Sequence, residues 1–79
     1  MKHIKIYGTG CKKCQALFSN AQEAISSNIS EFTVEKITDM EAILSAGILS
    51  TPVLVVDGKK VITGQAASVK TIKNILGID

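Results

Sequence analysis

Residues 8–14 read Gly8-Thr9-Gly10-Cys11-Lys12-Lys13-Cys14, and what stands on either side of them decides the fold. Before them, Lys2-His3-Ile4-Lys5-Ile6-Tyr7 alternates polar and apolar, with Ile4 and Ile6 on one face, so a period of two predicts a strand over 2–7. After them, Cys14, Leu17, Phe18, Ala21, Ala24 and Ile25 recur at three- and four-residue steps, which predicts an amphipathic helix from Cys11 to about Ser27. The glycines mark the point where the period changes. A strand passing through a glycine loop directly into a helix is the first half of a β-α-β unit.

The remaining chain completes that unit and extends it. Ser26 to Ser30 is a polar turn, and Phe32, Val34 and Ile37 mark a second strand. Thr38-Asp39-Met40-Glu41 has capping-box spacing at the start of a short helix, 39–46, which Gly47 closes. Ser50-Thr51-Pro52 leads into Val53-Leu54-Val55-Val56, an apolar β-branched run typical of a buried strand. Asp57-Gly58 is a hairpin signal, Lys59 to Thr63 returns as a fourth strand, and Gly64 breaks it. Val69, Ile72, Ile75 and Leu76 form the apolar stripe of a last helix, begun near Ser68 and ended at Gly77. The expected order is β-α-β-α-β-β-α. This is an α/β fold with three helices and a four-stranded mixed sheet, because the β-α-β unit is parallel and the hairpin antiparallel. No repeat or linker divides it, so one domain is expected over 1–79.

Composition limits the function. The chain is 46% hydrophobic and 20% charged with a single Pro, which excludes a disordered or low-complexity linker. At this size a domain buries only about 60–65% of the surface of its unfolded form, so the stability margin is thin. The longest apolar run, Pro52 to Val56, falls far short of the roughly 20 residues that span a bilayer. The opening Met1-Lys2-His3-Ile4-Lys5 interleaves charges with apolar residues and has no signal-peptide core, so a cytoplasmic protein without membrane contact is expected. The net charge is +2, no Arg is present, and only one Tyr and two Phe could stack on bases, so no nucleic-acid partner is expected.

Both cysteines of the chain lie in the quoted stretch, too close together to staple a fold. Cys11 falls at or just before the first turn of a helix, where unpaired N–H groups and the positive end of the dipole favour a thiolate. Cys14 lies three residues on, on the same face, within reach of Cys11. That spacing suits a reversible disulfide, the outer thiolate attacking and the inner one resolving. Gly8 and Gly10 leave the approach to Cys11 free of side chains. Helical cysteines are also compatible with an inert core pair. A zinc site would need further ligands, for which only His3 stands out, and so a second copy of the chain. Soft two-coordinate Cu(I) binding is another reading, although heavy-metal-associated domains run βαββαβ and end on a strand.

The first strand, Gly-Thr-Gly-Cys-Lys-Lys-Cys on a helix, and Thr51-Pro52 entering the third strand together resemble the thioredoxin superfamily. The match is to its minimal archaeal and bacterial branch of small redox-active disulfide proteins, the glutaredoxin-like thioredoxins, and it covers essentially the whole chain. The resemblance implies that Cys11 is the nucleophile and Cys14 the resolving thiol. It also implies that Pro52 is a cis-proline facing them and that the Thr51 backbone pairs with an extended substrate strand. No cofactor beyond the Cys11–Cys14 disulfide is then expected, and no metal. The partners would be a protein or small-thiol disulfide substrate and an unidentified reductase, with the chain a monomer. The alternative is a soft-metal carrier, or a thioredoxin-fold interaction module without turnover.

The chain departs from ordinary thioredoxins in several places. Gly10 stands where they have Trp, Lys12-Lys13 where they have Gly-Pro, and Lys5 near the place of their buried carboxylate. Gly64-Gln65-Ala66-Ala67-Ser68 keeps one Gly and no acid of the glutaredoxin glutathione corner. Lys12 and Lys13 oppose the helix dipole unless a Cys11 thiolate offsets them, so the reduced form should gain relative to the oxidised one. Gly10, Lys12, Lys13, Thr51, Pro52 and Tyr7, the last residue of strand one, are the expected site-shaping residues. Met40 is expected in the core, and His3 as an exposed strand residue.

Overall fold

The structure, a computed structural model, describes residues 2–78. Met1 and Asp79, the outermost positions of the expected domain, lie outside the described residues. The order is β1 (Lys2–Tyr7), α1 (Lys12–Ile25), a 3-10 helix (Ser26–Glu31), β2 (Phe32–Ile37), α2 (Met40–Ser45), β3 (Val53–Val56), β4 (Lys59–Thr63) and α3 (Val69–Leu76). The strands lie side by side as β2-β1-β3-β4. β1 runs parallel to β2 and antiparallel to β3, and β4 is antiparallel to β3, giving the mixed four-stranded sheet.

The alternation within the strands sorts side chains into two layers. Ile4 and Ile6 of β1, Leu54 of β3 and Ile62 of β4 meet Leu17, Ala21 and Ile25 of α1 and Ile72 and Leu76 of α3 on one face. Val53 and Val55 point the other way, onto Ile43 of α2 and Ile48 beyond it. β3 is thus covered on both sides, which is why its sequence is a continuous apolar run rather than an alternation. Asp57 and Gly58, at φ +49° and +84°, form the hairpin, two successive residues in the left-handed region.

Two local expectations need correction. The polar stretch after α1 is not an open turn but a 3-10 continuation, kinked at Asn28 (φ −130°, ψ 30°). Its cause is Ser26, whose N–H and hydroxyl both turn back to the Glu23 carbonyl and tighten the last turn, the hydroxyl at 2.8 Å. The cap of α2 lies one residue later than the capping-box register: Asp39 accepts from the Ala42 N–H at 3.3 Å, leaving Glu41 in the first turn beside the dipole's positive end. Among the described residues, no helix is long and apolar enough to cross a membrane.

Candidate active site

The carboxyl end of β1 and the start of α1 meet over the sheet, where open α/β sheets commonly bind. The β1–β2 ladder extends one residue past β1, with the Gly8 N–H donating to the Ile37 carbonyl at 3.0 Å. The chain then turns through Gly10 at φ +95°, a conformation that glycine adopts without cost. The Gln15 side-chain amide holds that turn by donating to the Gly10 carbonyl at 2.9 Å. Cys11 follows as the N-cap of α1, its sulfur accepting from the Cys14 N–H at 3.3 Å. Thiol sulfur thus occupies the place usually taken by a Ser or Asp oxygen, where an anion is favoured.

The two thiols have opposite surroundings. Cys11 is exposed and Cys14 is buried, at 1% exposure. Burial pushes the Cys14 thiol up, but the Cys11 side chain, the backbones of Cys11 and Gly10 and the Thr51 side chain favour the thiolate. The net direction is downward. Because the two sulfurs interact, the first ionisation belongs to the pair rather than to one residue. Exposure separates their roles: only Cys11 is open to an incoming disulfide.

Thr51 brings the second segment of the site into contact with the pair. Its peptide bond to Pro52 is cis, and Pro52 is buried at the head of β3. The Pro52 carbonyl accepts from the Gly64 N–H at 2.8 Å, so the turn at Gly64 (φ +73°) fastens this loop from the β4 side. Lys12 and Lys13 are exposed, and the first turn of α1 contains no acidic residue to pair with them.

Other expectations shift. Gly8 does not keep the approach to Cys11 open; it is buried against Cys14, and a Cβ there would lie 2.6 Å from the Cys14 sulfur. Tyr7 packs with Ile43, Ile48, Val53 and Val55 under α2, and lines a cavity of about 180 Å³ with His3, Lys5 and Lys60. Its place is in the packing of α2. Met40 is not in the core but 53% exposed. With Leu44, Leu49, Thr9 and Thr51 it borders a cavity of about 250 Å³ at the edge of the dithiol. Only one signal for this groove stood in the sequence. Leu49 falls between Gly47 and Pro52, where neither period two nor 3.6 gives it a partner.

A Cys-x-x-Cys pair opening the first helix of this sheet defines the class: a thioredoxin-fold dithiol protein. The family described as thioredoxin domain matches residues 2–77, and the chain belongs to that family. It is 47% identical to a thioredoxin of Methanothermobacter thermautotrophicus over 76 residues, 96% of this chain and 99% of that one. A thioredoxin of Methanocaldococcus jannaschii is 33% identical over 73 residues, covering 92% of this chain and 84% of its own. The crystal structure of chloroplastic thioredoxin z has the same fold, with a TM-score of 0.81 at 19% identity over 98% of this chain and 76% of that one. Membership carries an oxidoreductase kind of activity, thiol–disulfide exchange.

Proposed function

We propose that the protein reduces protein disulfides through Cys11 and Cys14, with Cys11 as nucleophile and Cys14 as resolving thiol. The carrying observation is the unequal exposure of two thiols on one helical turn. The Cys11 thiolate attacks one substrate sulfur; the substrate S–S bond breaks and its first thiolate leaves. The Cys14 thiolate then attacks the Cys11 sulfur, and the second substrate thiolate leaves and takes up a proton. Two electrons have passed to the substrate, and the protein holds the Cys11–Cys14 disulfide until a reductase or a thiol pool returns them. The sulfurs suffice as redox centre, so no metal or other cofactor takes part.

Pro52 and the Thr51 backbone receive the extended chain beside the substrate disulfide, Gly10 keeps the nucleophile accessible, and Lys12 and Lys13 place two exposed cations beside it. The apolar groove of Met40, Leu44 and Leu49 supports a protein substrate with apolar residues near its cystine rather than glutathione, which is small and charged. The chain works as a monomer, in a reducing compartment such as the cytoplasm, where a lone cysteine pair is kept available for exchange. Insulin reduction by a dithiol-regenerated enzyme tests the reading. The parent should turn over, Cys11→Ser should not, and Cys14→Ser should stall as a trapped mixed disulfide. A parent that binds Cu(I) tightly but reduces no insulin, or a Cys14→Ser variant that keeps multiple turnovers, overturns it.

A further inference from the structure

The loop before the nucleophile contains two glycines whose reasons differ. At Gly10 the backbone requires glycine, and an added Cβ would meet nothing within 4 Å. Gly8 has no left-handed backbone; what it lacks is room. A Cβ there would lie 2.6 Å from the Cys14 sulfur and 2.9 Å from the Cys14 Cβ, closer than carbon and sulfur pack. The sulfur alone could turn to another rotamer, but the Cβ is fixed to the α1 backbone. The side chain is also enclosed, at 1% exposure. Gly8 itself is held by its N–H bond to Ile37, so neither partner yields freely.

We infer that Gly8 is a positioning residue for the resolving step: its missing side chain is the recess that seats the Cys14 sulfur. Cys14 is then the stationary sulfur and exposed Cys11 the one that turns between substrate and partner. This rests on the dithiol reading above and adds to it the residue that sets the second step. An alanine at position 8 displaces Cys14 while leaving Cys11, on the solvent side of the turn, in place. Attack is therefore spared and resolution impaired, because intramolecular exchange depends steeply on the placement of the attacking atom.

Rapid mixing of the reduced protein with excess chromogenic aryl disulfide separates the steps. A bimolecular release of the first aryl thiolate reports Cys11, and a concentration-independent release of the second reports Cys14. In Gly8→Ala the first phase should stay within about twofold of the parent and the second should slow at least about tenfold. Equal slowing of both phases, or of neither, overturns the inference. Stability supplies a readout that needs no turnover. Gly8→Ala should destabilise the parent more than it destabilises the Cys14→Gly background, from which both contacting atoms, sulfur and Cβ, have been removed. Equal losses in the two backgrounds overturn the inference even if Gly8→Ala folds too poorly for kinetics. A parent lacking the second phase counts instead against the dithiol reading itself.

Discussion

Lys12 and Lys13 stand at the residue scale. Each cation in the first turn opposes the helix dipole by about 0.3–1 kcal/mol, and solvent screening takes the exposed pair towards the lower figure. No acidic residue in that turn relieves them, whereas a thiolate at Cys11 does and a disulfide does not. Lys12→Gln/Lys13→Gln should therefore weaken the reduced form and lower the midpoint potential by at most about 30 mV, the equivalent of 1.4 kcal/mol for two electrons. Equilibration in a thiol redox buffer checks it, and an unchanged or raised midpoint counts against the charge argument. The residues of this turn were legible because cysteine, lysine and glycine carry their chemistry in their type and spacing. Gly8 was misread for a related reason. A glycine that leaves room for an incoming substrate looks in sequence like one that leaves room for a neighbouring side chain, and only the Cys14 sulfur beneath it tells them apart.

At the scale of elements, α1 read well and α2 read poorly. Cys14, Leu17, Ala21, Ala24 and Ile25 recur at the helical period and all are buried, because α1 rests on the sheet along its length. α2 reaches the core only through Ile43, which packs with Val53 and Val55 of β3 and with Tyr7 of β1, and of its six residues only Ile43 is buried. Its apolar residues thus divide between core and surface, and periodicity could not say that Met40 and Leu44 face outward. Leu49, beyond its end, is 95% exposed. An apolar side chain so placed contributes little to the fold and becomes buried only when something docks. Leu49→Ser should leave unfolding free energy within about 0.5 kcal/mol of the parent. If a substrate side chain covers the groove, loss of the contact costs about 1.4 kcal/mol, roughly tenfold in KM for insulin. The aryl disulfide, which reaches Cys11 without the groove, should react at the parental rate. Steady-state kinetics with both substrates checks this, and equal effects on the two remove the groove from substrate binding.

At the scale of the whole molecule, the redox state and the stability of the fold are linked through Cys14. Its thiol titrates below the ordinary 9.0 in the folded protein, because hydrogen bonding from Cys11, Gly10 and Thr51 outweighs the opposing effect of burial. On unfolding, those partners are lost and the thiol returns to its ordinary value. A group with a depressed folded value contributes its full stability above the unfolded value and loses it as pH falls through the folded one. Between those limits, reduced protein should gain stability as pH rises towards 9.0, by at most about 1.4 kcal/mol per pH unit for one group. The oxidised protein has no thiol to titrate, in either state. The difference between reduced and oxidised unfolding free energies therefore isolates the cysteine pair from the lysines and carboxylates common to both forms. Denaturant titrations of the two forms across neutral to mildly alkaline pH should show that difference growing in favour of the reduced fold. A flat difference, or one that shrinks as pH rises, means that burial governs Cys14 and that its thiolate is not held ready by the fold.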